Sequence, residues 1–432
     1  MRAINLKGSN EKVYYEKLDN GLGVYMYSKD DYHNNYVTFT TKFGSIYNEF
    51  VPLDQEEMLK IPNGVAHFLE HKVFAQEKGP QPDEFFSGNG ASCNAYTTFK
   101  NTTYLFSGSD KLKENIEFLL DYVQKPYFTE ENVNSEKGII TQEINMCNDE
   151  PSDVLYEKIR KNSFKNNPFK ESIIGTVEDI NSVTPELLYT CYNTFYHPAN
   201  MFLVVTGNFN PEEILKVIKD NQNKKQFLPF KAIKVKEYKE EDQTVKEEEI
   251  VDINTDISKV SYNIKINSSK LKLDKRKINL YLYIIFNLLF DDASEFTEKE
   301  KSKGIITNSV SVNLLNCDSH ILISLINQTD NYKELLQDIK KTLRNIEIKE
   351  EDFLRKKKVL ISNELFSFEN IEVVNEMIVD NIIFDGEFNC DNIEFIKELN
   401  YKELQELLNN LNLNFISTVT LKKNVSKNNS EE

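Results

Sequence analysis

Apolar residues recur along this chain with two different periods, and these periods predict an alternation of strands and helices. Alternation of apolar and polar residues over Gly23–Tyr27 and Tyr36–Phe43 is typical of half-buried strands. The stretch Gly64–Phe74 has helical spacing instead, with apolar residues at Val65, Phe68, Leu69 and Val73. The stretch Asp110–Val123 has the same spacing, so it predicts an amphipathic helix that packs against a sheet.

The same patterns continue through the first half of the chain. Asn94–Phe106 predicts a strand, a turn and a second strand. Two further helices are expected at about Thr129–Asn148 and Pro185–Tyr196. The apolar run Met201–Thr206 predicts a buried strand that ends at Gly207.

An internal repeat relates the two halves of the chain. The segment DKLKENIEFLL, which starts at Asp110, resembles DNYKELLQDIK, which starts 220 residues later at Asp330. The same offset aligns FTEENVNSEKGIITQE, from Phe128, with IKEEDFLRKKKVLISN, from Ile348. We therefore expect two copies of one fold.

The length and a change in composition suggest the domain boundaries. A chain of 432 residues is too long for one ordinary core and suits two domains of about 200 residues each. A charged stretch between the copies, KVKEYKEEDQTVKEEE, predicts a solvated linker. We expect a first domain at 1–225, a linker at 226–249, a second domain at 250–422 and a disordered tail at 423–432.

Composition narrows the class of protein. The formal net charge of −17 repels phosphate backbones and argues against nucleic-acid binding. No apolar run approaches the ~18 residues of a membrane helix, and the start lacks the pattern of a secretory signal. Five cysteines, odd in number and without a CxxC pair, argue against a disulfide framework or a thiolate zinc site. These features together predict a cytoplasmic protein.

Candidate chemistry is concentrated on the helix expected at Gly64–Phe74. His67, Glu70 and His71 stand at positions i, i+3 and i+4, which share one helix face. Two neutral imidazoles can then bind one metal ion, while the glutamate between them reaches a water on that ion. This arrangement is the HExxH motif read backwards, the inverzincin pattern.

A catalytic zinc usually has three protein ligands, so a third ligand is expected elsewhere. Glu143 follows Glu136 by seven residues, so two helical turns place both carboxylates on one face. One would bind zinc and the other would orient the ligands. The repeat offset puts Lys356 and Asn363 at these positions in the second copy, and a lysine there repels a cation.

Several segments together resemble the pitrilysin/insulysin family, which includes the mitochondrial processing peptidases, and in particular its short two-domain bacterial class. These segments are GVAHFLEHKVF, GASCNAYTTFKNTTYLFS, FTEENVNSEKGIITQEINMCNDEP, IIGTVEDI and FYHPANMFLVVTGNF. The resemblance implies an α+β fold with two homologous domains, each an antiparallel sheet backed by helices. It also implies one Zn²⁺ per chain, held by His67, His71 and Glu143, with Glu70 as catalytic base and Glu136 as a further catalytic glutamate that orients the ligands.

The implied activity is zinc-dependent hydrolysis of peptide bonds in short or unfolded peptides, by an endopeptidase or oligopeptidase. Glu70 would act as general base on a zinc-bound water and return the proton to the leaving amine. In the family, the substrate backbone pairs with a sheet edge near the metal. That edge would contain Ala91, Asn94 and Ala95 here, and binding by strand addition tolerates many sequences.

One departure from the family pattern bears on partners. Family members usually have an Arg and, seven residues later, a Tyr in the second copy, both near substrate. The corresponding positions here are Glu300 and Thr307. The resemblance then implies a dimer, possibly a heterodimer in which a related subunit supplies the Arg/Tyr pair; a homodimer with altered contacts stays open.

Two other classes of protein remain as alternatives. The chain could be a non-catalytic scaffold or partner subunit, similar to the core proteins of respiratory complexes, although those have eroded metal motifs. S-ribosylhomocysteine lyases share the inverted motif, but they are short single domains that use iron and a cysteine.

Overall fold

The computed structural model describes residues 1–424, which form two compact α/β units. The strands are β1 Arg2–Asn5, β2 Lys12–Lys17, β3 Gly23–Ser28, β4 Asn35–Thr41, β5 Glu49–Phe50, β6 Leu59–Lys60, β7 Ala91–Thr97, β8 Thr102–Gly108, β9 Met201–Gly207, β10 Glu248–Ile253, β11 Lys259–Asn267, β12 Ser311–Cys317, β13 His320–Gln328 and β14 Ile416–Lys423. The α-helices are α1 Val65–Val73, α2 Pro82–Gly88, α3 Leu112–Val123, α4 Glu130–Asp149, α5 Pro151–Ser163, α6 Val177–Asn181, α7 Pro185–Phe195, α8 Pro211–Gln222, α9 Lys275–Phe290, α10 Glu295–Ser302, α11 Tyr332–Arg344, α12 Glu350–Ser367, α13 Ile371–Phe384, α14 Asn392–Glu398 and α15 Tyr401–Asn410. None of the described helices is long and apolar enough to cross a membrane.

The first unit is built on a seven-stranded sheet. Its strand order is β1-β2-β3-β9-β4-β8-β7, so β7 lies at one edge. Five neighbouring pairs are antiparallel, but β3 and β9 run parallel. The expected antiparallel sheet is therefore mixed at this one pair, because β9 enters the sheet after a long connection from β8 that contains α3 to α7.

The second unit repeats this topology with five strands. The order β10-β14-β11-β13-β12 matches β3-β9-β4-β8-β7 strand for strand. The parallel pair recurs as β10 and β14, and the other neighbours are again antiparallel. Two homologous α+β domains are confirmed, each with a mixed sheet.

The offset of 220 residues holds for several elements on the chemistry-bearing side. β7 and β12 begin at Ala91 and Ser311, and both have seven residues. The helices α4 and α12 begin at Glu130 and Glu350. Residues of the two copies can therefore be compared position by position in this region.

Each compact unit takes a segment from the other half of the sequence. The first unit combines 1–144, 172–237 and 362–395, and the remaining described residues form the second unit. In the first unit, α13 packs against β4 and β9; in the second, α5 packs against β11 and β14. The expected boundaries at 225 and 249 follow the linear repeat and stay a prediction.

The charged segment expected as a solvated linker contains a buried anchor. Glu240 and Lys265 form an ion pair of 2.7 Å between fully buried side chains. The carboxylate of Glu240 also accepts hydrogen bonds from three consecutive main-chain N–H groups, at residues 165–167. A buried charge needs such partners, so this part of the segment is held within the second unit. The tail expected from 423 overlaps β14 at Lys423, and residues 425–432 lie outside the described chain.

An ion network joins α10 to α11 in the second unit. Glu300 is fully buried and pairs with Lys303 at 3.1 Å. Lys303 also pairs at 2.6 Å with Asp338, which Lys341 contacts at 2.8 Å. Burial alone would raise the pKa of Asp338, but the hydrogen bonds from Lys303 and Lys341 outweigh burial and lower this pKa to about 2.

We predict that Asp338→Asn lowers the free energy of unfolding by about 2 kcal/mol at pH 7, because two lysines lose their shared partner. A carboxyl with a lowered folded-state pKa contributes stability above its unfolded value of about 4 and loses it as pH falls towards about 2. The difference in urea midpoint between wild type and variant should therefore narrow between pH 5 and pH 3. A difference that does not change with pH would contradict this account.

Candidate metal centre

Glycines fix the start of the helix that carries the histidines. Gly64 precedes α1 with φ of 82°, a left-handed conformation that other residues rarely adopt. It packs against Gly175, whose φ is 76°, and a Cβ on Gly175 would collide with the carbonyl oxygen of Asn63. Two separate motifs, GVAHFLEH and IIGT, thus meet at the N-terminus of α1.

The helix α1 buries its apolar side and presents its polar residues together. Val65, Phe68, Leu69 and Val73 belong to the core of the first unit. His67 is also buried, while Glu70 and His71 are half-buried. The i, i+3, i+4 spacing therefore places the three side chains on one face next to this core.

The helix α4 supplies the carboxylates. Its buried residues are Val133, Ile140 and Ile144, a stripe with helical spacing. Glu136 and Glu143 lie on the same stripe, so the packing that buries it also brings both carboxylates to α1. The spacing of two helical turns, expected from the sequence, therefore places both carboxylates on the side of α4 that faces α1.

The imidazoles of α1 and the distal carboxylate of α4 converge. One ligand atom from each of His67, His71 and Glu143 can be chosen so that all lie within 4.8 Å of one another. His67 Nε2 lies 3.5 Å from Glu143 Oε1, and His71 Nε2 lies 3.6 Å from Glu143 Oε2. The hydrogen bond from His67, together with the nearby histidine charges, outweighs burial and lowers the pKa of Glu143.

Glu136 contacts the other nitrogen of the second histidine. Its Oε1 lies 3.0 Å from His71 Nδ1, and its Oε2 accepts a hydrogen bond of 3.0 Å from Lys72 Nζ. Burial lowers the pKa of His71, but Glu136 and the two other nearby glutamates raise it overall. Burial raises the pKa of Glu136, but His71 and Lys72 lower it overall.

Glu70 has a different partner. Thr97 Oγ1 donates a hydrogen bond of 2.6 Å to Glu70 Oε2, so the end of β7 holds this carboxylate. Glu70 thus contacts a threonine, whereas Glu136 and Glu143 contact the histidines.

The residues expected to bind substrate all lie on β7. Ala91 and Ala95 are half-buried, and Asn94 is exposed. Because β7 is last in the strand order, one of its edges has no partner strand among residues 1–424. The main-chain N–H of Ala95 donates to Asn94 Oδ1 at 2.9 Å, so this side chain covers part of the strand.

The second copy has a different contact at the equivalent position. The offset of 220 residues relates His71 to Asp291 and Glu136 to Lys356. Lys356 Nζ lies 3.0 Å from Asp291 Oδ2, so an ion pair stands where the first copy has the His71–Glu136 contact. The position of His67 is Asn287 and that of Glu70 is Phe290, which removes the donor set.

Sequence reasoning missed two residues that contact the site. Thr97 lies within the expected substrate strand, but its contact with Glu70 depends on how β7 packs beside α1. Lys72 follows His71 directly, yet helical spacing alone does not indicate that it turns towards Glu136. The one feature of the sequence that could have indicated this contact is the positive charge of a lysine directly after the histidine motif.

Comparison with known proteins places this geometry in a family. The family model "Insulinase (Peptidase family M16)" matches residues 59–177, and the model "Peptidase M16 inactive domain" matches residues 182–360. An uncharacterized zinc protease of Bacillus subtilis, YmfH, is 42% identical over 312 residues, which cover 72% of this chain and 73% of that protein. The chain belongs to the M16 (insulinase) family of peptidases. The family resemblance expected from the sequence is confirmed.

Other M16 relatives match over different lengths. An uncharacterized zinc protease of Rickettsia felis is 26% identical and covers 95% of this chain and 97% of its own length. A probable β subunit of the mitochondrial processing peptidase of Arabidopsis thaliana is 28% identical and covers 36% of this chain and 30% of its own length.

A solved structure agrees with the M16 fold. The crystal structure of a putative M16-like peptidase from Alicyclobacillus acidocaldarius has a TM-score of 0.89 and 28% sequence identity. It covers 96% of this chain and 99% of its own. The whole described topology, and not the motif alone, is therefore that of the M16 family.

Proposed function

We propose that this chain is a zinc-dependent peptidase that cleaves short or unfolded peptides. The observation that carries the proposal is the convergence of His67, His71 and Glu143, with Glu70 close to His71 on the same helix. The names of relatives support the metal, because several are described as zinc proteases.

The donor set fits zinc. Two imidazole nitrogens and one carboxylate oxygen are typical ligands of a catalytic zinc, which leaves a position open for water or substrate. Atoms that each lie about 2.1 Å from a tetrahedral ion are roughly 3.4 Å apart. His67 Nε2 lies 3.5 Å from Glu143 Oε1 and His71 Nε2 lies 3.6 Å from Glu143 Oε2, so each imidazole is near that spacing from one oxygen of the carboxylate.

Glu70 acts as the proton carrier in the proposed reaction. Zinc, when bound, would supply Lewis acidity towards the carbonyl of the peptide and lower the pKa of a water. Glu70 accepts a proton from that water as the water oxygen adds to the carbonyl carbon of the peptide. It then delivers the proton to the amine nitrogen as the C–N bond breaks. Thr97 holds Oε2 of Glu70 and leaves Oε1 to exchange the proton.

The peptide would bind as an added strand along the free edge of β7. Main-chain hydrogen bonds then provide affinity with little dependence on sequence. Asn94 has to release the N–H of Ala95 so that this group can pair with the peptide, and the freed amide can contact the peptide in turn. Ala91 and Ala95 have small side chains that leave room for the added strand.

We expect Glu70→Gln to retain zinc and to lower kcat by at least about a hundredfold, because the amide cannot accept the proton. The measurements are zinc content by atomic absorption and hydrolysis of a quenched fluorescent peptide. Glu77→Gln, at an exposed position after α1, serves as the matched control. Unchanged turnover in Glu70→Gln would refute Glu70 as the general base. Absence of hydrolysis by zinc-loaded wild type, both alone and with the related subunit added, would favour the non-catalytic scaffold.

Thr97→Val should lower kcat by about tenfold with little change in KM, because Glu70 loses one hydrogen bond that fixes its orientation. Steady-state kinetics with the same peptide measure both constants. Thr190→Val, which removes an exposed hydroxyl that contacts the carbonyl oxygen of Glu186, is the control. A change in KM alone would assign Thr97 to substrate binding instead.

A related subunit is the proposed partner. Three relatives are named as β subunits of a mitochondrial processing peptidase, one of them as a probable one. In this chain the position expected for the substrate-contacting Arg is Glu300, which is buried and paired with Lys303. A second subunit with the Arg/Tyr pair and without the histidine motif would complete the substrate site.

We predict low peptide turnover per bound zinc for the chain alone and a large increase when such a related subunit from the same organism is added. Native mass spectrometry of the same samples reports the stoichiometry. Full turnover by the chain alone, as a dimer of identical subunits, would replace the heterodimer with a homodimer that has different substrate contacts.

A further inference from the structure

A buried lysine lies beside the candidate metal centre. Lys72 is only 5% exposed, and its ammonium group donates a hydrogen bond of 3.0 Å to Glu136 Oε2. A charged group is costly to bury without a partner of opposite charge. Glu136 is thus the partner that allows Lys72 to be buried, and Lys72 in turn fixes one oxygen of Glu136.

Glu136 connects this lysine to a proposed zinc ligand. Its two oxygens have separate partners, Lys72 at Oε2 and His71 Nδ1 at Oε1, each at 3.0 Å. An anionic carboxylate can only accept hydrogen bonds. The contact of Glu136 Oε1 with His71 Nδ1 therefore favours the His71 tautomer that has its hydrogen on Nδ1. The tautomer leaves the lone pair of Nε2 directed to the side of Glu143.

The other histidine has no such support. His67 Nδ1 is buried and has no hydrogen-bond partner within residues 1–424. A second hydrogen bond from a ligand histidine normally fixes its ring. Control of ring orientation at this centre therefore depends mainly on the connected set Lys72, Glu136 and His71.

The formal charges of the site also favour a cation at this place. Glu70, Glu136 and Glu143 contribute three negative charges when ionised, and Lys72 contributes one positive charge. With neutral histidines, the sum matches a single divalent cation. Charge alone, however, predicts that removal of Lys72 would strengthen cation binding, whereas the contacts predict the opposite.

The second copy gives an internal comparison. Its equivalent of Lys72 is Asp292, and its ion pair Lys356–Asp291 has the opposite polarity to the Glu136 contacts. In the second copy the end of α9 and the helix α12 are thus connected at this position by an ion pair, without the donor set of a metal centre. A lysine next to the second histidine occurs only in the copy that retains the donor set.

We propose that Lys72 is a positioning residue for the metal centre, which acts through Glu136 to hold His71 in the ligand orientation. This inference rests on the proposed zinc site. Lys72 makes no contact with substrate in this account.

The test is zinc affinity, measured by competition with a chromophoric chelator, in wild type and in Lys72→Met. Loss of the hydrogen bond from Lys72 to Glu136 should raise the zinc Kd about tenfold, the lower end of the range for residues that support a ligand. An unchanged or lower Kd would overturn the proposal, because it would leave only the effect of charge. Lys78→Met, which removes an exposed lysine near the end of α1, is the charge-matched control.

Two further measurements distinguish positioning from general stability. Lys72→Arg keeps a charged donor and should recover most of the lost affinity. In the Glu136→Gln background, Lys72→Met should have little additional effect on the zinc Kd, and additive effects would refute action through Glu136. Thermal unfolding of the metal-free variants checks the fold, and Lys72→Gln replaces Lys72→Met if the latter does not fold.

These outcomes separate the two proposals. If wild type binds no zinc, the proposed function itself fails. If wild type binds zinc and Lys72→Met binds it equally well, only the role of Lys72 fails.

Discussion

The core that α1 and α4 share is the constraint on which the proposed site depends. Neither helix contains the complete set of proposed ligands, because α1 has the histidines and α4 has the distal carboxylate. The apolar stripe of α4, at Val133, Ile140 and Ile144, is buried in the same core as the apolar side of α1. Burial of that stripe therefore sets the separation between ligands, and the polar contacts refine it.

The duplicated fold explains why one half can lose the chemistry without loss of structure. Both copies have five strands in the same order with one parallel pair. At the equivalent junction of helices, the first copy uses His71 and Glu136 and the second uses Asp291 and Lys356. A hydrogen bond in the first copy and an ion pair in the second connect half-buried groups at this junction, so it can persist after the proposed ligands are replaced.

Local periodicity predicted much of the fold and both halves of the cluster of histidines and glutamates, because helical spacing alone relates His67 to His71 and Glu136 to Glu143. The repeat offset likewise predicted the matching starts of α4 and α12. The contact of Thr97 with Glu70, the direction of Lys72 and the parallel pairs depend on tertiary packing, which no periodicity encodes. The burial of Glu240 was missed for a related reason: its partner Lys265 lies 25 residues away, in a segment whose charge pattern indicates exposure.

The most direct measurement of the central claim is anomalous diffraction at the zinc edge from crystals of the protein. The account predicts one strong peak about 2.0–2.2 Å from a nitrogen of His67, a nitrogen of His71 and an oxygen of Glu143. A peak bound by other residues, or zinc-soaked crystals in which these three side chains point apart, would contradict it.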